Sequence, residues 1–267
     1  MRRYLPFLPQ NPLVAVVRLT GVISAGGRPG AGISDQSAAP MLEKAFTRGK
    51  PKAVAIVVNS PGGSPVQSSL VAARIRRLAD EKDIPVHVFV EDLAASGGYW
   101  IAVAGDHIWV DPTSIVGSIG VISASFGLDG LIGRYGIERR VHTAGTSKSF
   151  MDPFLPEKPE DVARLKSVQE PMHARFIEHV KSRRGDRLKS ETDLFDGSFW
   201  IGNDAAELGL VDGIGHLVPK MKELYGDKVR FNVQKVRRPF LARFGMSLAG
   251  DAMAAVEERA MLARYGL

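Results

Sequence analysis

Ala53-Val54-Ala55-Ile56-Val57-Val58-Asn59-Ser60-Pro61-Gly62-Gly63-Ser64 is the stretch from which the fold can be read. Its apolar residues run without interruption to a polar end and lack the alternation of a half-exposed strand. That is the pattern of a short strand buried on both faces in a parallel sheet. Pro61-Gly62-Gly63 closes the strand with a turn, and residues 66–78 then carry apolar side chains at helical spacing. The arrangement recurs as a strand at Val86–Val90, a turn over Glu91–Ala95 and a helix from Ser96 through Ala104. A third unit has a short strand at Ile108–Val110, Pro112 in a turn, and Gly117-Ser118-Ile119-Gly120 ahead of another apolar segment. Upstream, valine-rich Leu13–Leu19 reads as a strand, followed by a glycine-rich loop and a helix over Ser34–Thr47. Strands alternating with helices place the chain in the α/β class, built of stacked β-α or β-β-α units.

Beyond this core the pattern predicts a strand at Arg139–Thr143, a loop over Ala144–Ser149 and a long helix from Glu160 to Arg183. A short helix at Gly202–Leu208, a short strand at Leu210-Val211 and a helix at His216–Tyr225 follow. Leu241, Phe244, Leu248, Ala252 and Val256 recur at helical spacing, so the tail is expected to be an amphipathic helix. The expected organisation is one domain over residues 1–235 and a C-terminal amphipathic helix over 236–267. The expected partner of that helix is its own domain or a neighbouring subunit, ahead of a membrane surface.

With 267 residues and 45% of them hydrophobic, the chain can bury a sizeable core. It has no cysteine, which excludes disulfides, thiolate nucleophiles and zinc-thiolate sites. Neither HExxH nor GxGxxG nor a phosphate-binding loop occurs, so no metal and no organic cofactor is expected. The net charge is +6 and the charges are scattered, with the densest basic spots at Lys181, Arg183, Arg184, Arg187 and Lys189 and at Lys235, Arg237 and Arg238. These clusters lack interleaved aromatics, so they read first as solvated faces and second as peripheral membrane contact, with nucleic acid disfavoured. Met1-Arg2-Arg3-Tyr4-Leu5-Pro6 starts like a signal peptide, but prolines interrupt it, and no run reaches the roughly 20 apolar residues a membrane span requires. The expected location is cytoplasmic, with membrane association as the second reading.

Ala94-Ala95-Ser96-Gly97-Gly98 lies where a buried strand turns into a helix, the position of a nucleophile elbow. Small neighbours permit the tight turn, and a helix N-terminus favours a developing oxyanion. The competing reading makes Ser96 an ordinary helix cap. Ser60-Pro61-Gly62-Gly63, at the end of the adjacent strand, is positioned to present further backbone N–H groups, or is a plain turn. A serine hydroxyl needs a base. None of the six histidines stands in a constellation that singles it out, although His107 and His142 remain candidates for a triad. A lysine serves if burial keeps it neutral, and Lys148, in a loop of small residues, suits that role better than a lysine on an exposed helix face.

Asn59-Ser60-Pro61-Gly62-Gly63, Ala94-Ala95-Ser96-Gly97-Gly98-Tyr99, Gly117-Ser118-Ile119-Gly120-Val121, Gly145-Thr146-Ser147-Lys148 and Gly209-Leu210-Val211-Asp212 occur in one order. In this the chain resembles the signal peptide peptidase A type of serine peptidase, family S49, over roughly Val14 to Gly215. The resemblance implies a ClpP/crotonase-like fold, a Ser-Lys dyad and peptide-bond hydrolysis of signal-peptide remnants or unfolded, apolar peptides. It assigns Ser96 as nucleophile, Lys148 as general base and Ser118 as the serine that hydrogen-bonds the lysine amine. The N–H groups of Gly62 or Gly63 and of Gly97 become the oxyanion hole. It also implies a ring-like homo-oligomer in which the lysine can reach the serine of an adjacent subunit. Unlike many members it is expected to carry no N-terminal anchor, and unlike the double-length members it has each motif once. Two other readings are a noncatalytic scaffold on a protease fold and a crotonase-like acyl-CoA enzyme, for which Asp92 is the only nearby acid that stands out.

Overall fold

The computed structural model describes residues 11–25, 32–145, 147–189, 192–234, 256 and 259–267. The chain forms two compact units, one of Met1–Ile119 with Ile177–Leu267 and one of Gly120–Phe176.

The first unit is built on a sheet whose centre is the stretch that decides the class. Strand β2, Ala53–Ser60, has every residue buried except the half-buried Asn59. It lies between β1, Leu13–Thr20, and β3, Val86–Ala95, parallel to both. The strand order is β6-β5-β3-β2-β1-β8, with β5 at Ile115–Gly117, β6 at Phe199–Ile201 and β8 at Arg230–Val233. Strand β4, His107–Val110, pairs with β3 and with β7, Gly213–Ile214. All these pairings are parallel except β5 with β6. The class is therefore α/β, as the alternation predicts.

Helices cover both faces, which is why β2 reads as a continuous apolar run. Helices α1, Asp35–Thr47, and α2, Pro65–Lys82, bury Leu42, Phe46, Val71 and Ile75. Helix α3 is Gly97–Ala102. Further along the chain come α4, Asp129–Arg134; α5, Pro159–Arg184; α6, Gly202–Glu207; and α7, Leu217–Tyr225. Met221 of α7 packs with Val14, Val16, Ala55, Val57 and Phe89. Ser34 caps α1 and Ser64 caps α2 through their side-chain oxygens, the ordinary use of serine at a helix start.

Three expectations need correction. Glu91–Ala95 is not a turn: β3 runs on to Ala95, where Ser60 pairs with Ala94 and Leu93 with Ile115 after a register shift. Exposed Glu91 and Asp92 in its middle disguise the continuation. Arg139–Thr143 is not a strand, because these residues form no ladder with any described strand. The strand expected at Leu210-Val211 falls instead at Gly213–Ile214, since Leu210 and Val211 are held by turn bonds to Ala205 O. Strands β6 and β8 were not anticipated. The glycine-rich loop falls mostly on residues 26–31, and the 235/236 boundary and most of the expected tail helix fall on residues 235–255; both stretches lie outside the described residues. Of the tail, Val256 and residues 259–263 are helical.

Gly209-Leu210-Val211-Asp212 locks α3 from below. The buried Tyr99 hydroxyl donates to Leu210 O at 2.6 Å, and burial pushes that phenol up, so it stays a donor. Arg184, 3% exposed, donates to Gly209 O and to the Asp212 carboxylate, each at 2.9 Å. Ile108 N–H donates to the same carboxylate at 2.7 Å. Burial pushes the Asp212 carboxyl up, but the Arg184 guanidinium and the Ile108 N–H outweigh it and leave the carboxyl below its ordinary value.

The second unit contains α4 and the N-terminal part of α5. It carries large apolar side chains on its surface: Phe126 is 83% exposed and Tyr135 73%.

Candidate active site

Ser96 occupies the junction of β3 and α3 with φ 51° and ψ −121°. A helix-capping serine takes extended backbone angles and accepts a hydrogen bond from the first turn. Ser96 does neither, since its side chain makes no cap bond. The ordinary-cap reading therefore fails here. A non-glycine residue at positive φ costs of order 1–2 kcal/mol, and such strain persists where the surroundings fix it. Here Ser96 N–H donates to Gly117 O at 2.9 Å, and Trp100 N–H donates to Ser96 O at 3.0 Å.

The glycine turn after β2 meets this elbow. A Cβ added at Gly62 would lie 2.8 Å from both Gly97 N and Ser96 Cβ and 2.9 Å from Ala95 O, and Gly62 has φ +100°. A Cβ on Gly97 would lie 3.4 Å from Gly63 N and would clash with the Ser68 hydroxyl. Glycine is thus required for close approach of the two turns. Gly62 N–H donates to Ser60 Oγ at 3.2 Å. Gly63 is bridged to Ile23 through its neighbours, because Ile23 N–H donates to Gly62 O and Ser64 N–H to Ile23 O. That arrangement leaves the Gly63 N–H outside the bridge, and Gly97, at the first position of α3, has no intrahelical acceptor for its own.

Ser118 follows β5 directly and also has positive φ, 52°. Its N–H donates to Ser198 O at 2.7 Å, and the strand pairing Ala95↔Gly117 sets it beside the elbow. Its hydroxyl accepts a hydrogen bond from the Tyr265 hydroxyl at 3.3 Å. The structure therefore brings Ser96, Ser118, Gly62, Gly63 and Gly97 together in the first unit. Lys148 belongs to the second unit and is exposed in a turn, its N–H donating to Gly145 O at 3.3 Å. The burial expected of it is not provided within its own loop.

Among the described residues, no hydrogen bond or ring contact places either histidine candidate at the elbow. His87 is buried, pairs with the Tyr225 hydroxyl at 3.0 Å and stacks on His107 at 5.2 Å, while His142 is exposed in the second unit. Asp92 is exposed and accepts from the Asn59 amide at 2.6 Å. Tyr265 at Ser118 was not anticipated, nor were Phe199 and Trp200 beside it. Phe199-Trp200-Ile201 between two glycines is a strand signal that would have found the latter pair, whereas nothing in the sequence places Tyr265. No group of three or more metal-ligating side chains occurs among the described residues.

The profile of peptidase family S49 matches residues 79–227, more than half of the chain and the whole elbow. The chain belongs to peptidase family S49. Several relatives of this S49 chain are named proteases. Protease 4 of Haemophilus influenzae is 35% identical, over 76% of this chain and 32% of its own length. The chloroplastic serine protease SPPA of Arabidopsis thaliana is 29% identical, over 76% of this chain and 31% of its own length. A Brucella melitensis protein named Na(+)/H(+) antiporter NhaA is 49% identical over 100% of this chain and 39% of its own length. The chain thus spans about a third to two fifths of the length of these relatives. Membership carries the ClpP/crotonase-like fold that the motifs implied. No helix among the described residues is long and apolar enough to cross a membrane.

Proposed function

We propose that this chain is a serine endopeptidase in which Ser96 attacks the peptide carbonyl and Lys148 takes the serine proton. The strained Ser96 backbone, with its hydroxyl unused as a helix cap, carries the proposal. The N–H groups of Gly63 and Gly97 bind the oxyanion, as two convergent donors are needed where the charge develops. Gly62 is the spacer between them, since its own N–H is engaged by Ser60. Lys148 returns that proton to the leaving amine as the C–N bond breaks, and the acyl-enzyme on Ser96 is then hydrolysed by water that Lys148 deprotonates, the proton passing back to Ser96 as the acid product leaves.

A lysine is a base only when neutral, and burial favours that form. Lys148 is exposed in the single chain, so its burial is supplied by assembly of a homo-oligomer, and the exposed Phe126 and Tyr135 of the same unit support such an interface. Substrates are apolar or unfolded peptides, signal-peptide remnants among them, with small or aliphatic residues beside the scissile bond. The apolar, small-residue surroundings of Ser96 and Ser118 favour that choice.

Purified wild type, Ser96→Ala and Lys148→Ala are compared for cleavage of unfolded protein and apolar peptides, with oligomer size recorded for each. The expected result is a loss of about 10⁴-fold or more in both variants with assembly unchanged, and a wild-type rate that rises toward alkaline pH. Equal activity in all three overturns the reading.

A further inference from the structure

We infer that Tyr265 is a positioning residue for the reaction, acting through Ser118. The inference rests on the role proposed above for Ser118. The Tyr265 hydroxyl donates to Ser118 Oγ at 3.3 Å, and its ring meets Phe199 edge-on at 5.3 Å and 70°. Phe199 is paired with Gly117 across β5 and β6, so the ring contact and the hydroxyl contact fasten Tyr265 to the two sides of one strand pair. Ser118 itself is fixed at its backbone by the bond from its N–H to Ser198 O, and its positive φ is a conformation that a free serine leaves.

What the backbone does not fix is the hydroxyl rotor. A serine oxygen has two acceptor lone pairs and one proton, and without a partner all three point wherever χ1 and the O–H torsion take them. The Tyr265 donor occupies one lone pair and thereby selects the orientation of the other. That remaining lone pair is the acceptor for an N–H of the Lys148 amine. A lysine amine that donates one N–H into a fixed acceptor has its own lone pair aimed, and only an aimed lone pair takes the Ser96 proton efficiently. Phe199 supplies the rigidity that a hydroxyl on a flexible tail lacks. Residues 259–267 thus belong to the site, although the family profile ends at residue 227.

The test uses the full chain and steady-state cleavage of one apolar peptide by wild type, Tyr265→Phe, Ser118→Ala and the double variant. Tyr265→Phe keeps the ring against Phe199 and removes only the donor. The expected result is a fall in kcat of about three- to tenfold with KM and melting temperature unchanged, the size of one neutral hydrogen bond. In the Ser118→Ala background the same substitution is expected to change nothing, because the group it acts through is gone. Tyr265→Phe at wild-type kcat, an equal fall in both backgrounds, or a rise in kcat each overturns the inference. Silence of Ser96→Ala and Lys148→Ala alongside shows that the dyad reading stands even when this inference falls, while an active Lys148→Ala removes the dyad reading itself.

Discussion

Gly62→Ala is expected to damage catalysis far more than it damages the fold. The added methyl would lie 2.8 Å from Ser96 Cβ and from Gly97 N. Ordinary carbon contacts begin near 3.4 Å, so the elbow must retreat by about 0.6 Å, and the strand pairing beneath it resists. Gly62 also sits at φ +100°, where an alanine costs of order 1–2 kcal/mol. Strain and displacement together predict a stability loss of about 2–3 kcal/mol, which a domain of this size survives. The displacement, however, moves Ser96 and Gly97 together away from the Gly63 N–H on the other turn, so the two proposed oxyanion donors no longer converge. A misplacement near 1 Å costs roughly 100-fold in rate, so kcat is expected to fall by about 30- to 100-fold. Peptide cleavage by Gly62→Ala at a temperature where circular dichroism shows it fully folded is the assay. Gly133→Ala is the control, because a Cβ there meets nothing within 4 Å. A folded Gly62→Ala enzyme with wild-type kcat would refute the argument that the two glycine turns set the geometry of the nucleophile.

Asp212→Ala leaves Arg184, 2% exposed at its side chain, as an uncompensated buried charge, and a loss of about 3–5 kcal/mol is expected in denaturant unfolding; a loss under 1 kcal/mol would show that α3 is not held by this pair. Burial and the neighbouring His107 lower His87 to about 4 from 6.5, outweighing the opposite pull of Asp106. The unfolded chain therefore binds a proton that the folded one refuses between those values, so the His87 contribution is complete above pH 6.5 and falls by about 3 kcal/mol as pH drops to 4. The stability of wild type minus that of His87→Phe, read from denaturant midpoints, is expected to fall across that interval toward low pH, and parallel curves would refute it.

The parallel core was legible because β2 is buried on both faces, and burial writes itself into a sequence as an unbroken apolar run. The end of β3 was not. Glu91 and Asp92 are both exposed in the middle of the strand, and two charged residues in succession read as a turn even though the ladder continues to Ala95. Strand β6 was missed for a related reason. Its edge position leaves Phe199 and Ile201 exposed, so its three residues lack the buried signature. At the site, residue types at motif spacing located Ser96, but only the backbone angles separate an elbow from a cap. Lys148 was singled out by its loop of small residues as well as by its motif, but a turn of small residues fixes no burial by itself, and Lys148 is exposed.

If Ser96 and Lys148 act as proposed, strain and placement account for a nucleophile on the sheet and a base outside it. Everything that must be held to a fraction of an ångström is on the sheet: the elbow, the glycine turn packed on it, and Ser118 one strand away. Those parts share backbone hydrogen bonds, and the cost of positive φ at Ser96 and Ser118 is borne by a core that tolerates no shift. A general base has a looser requirement, since a long lysine side chain reaches its target over several rotamers and is corrected at its tip by one fixed acceptor. It can therefore stand on an exposed turn. The arrangement makes the nucleophile permanent and the base conditional: in the reading proposed here, a chain folded alone has Ser96 strained and ready but no buried amine beside it. Proteolysis then begins on assembly rather than on folding, and dilution below the association range is expected to silence the enzyme while leaving its sheet intact.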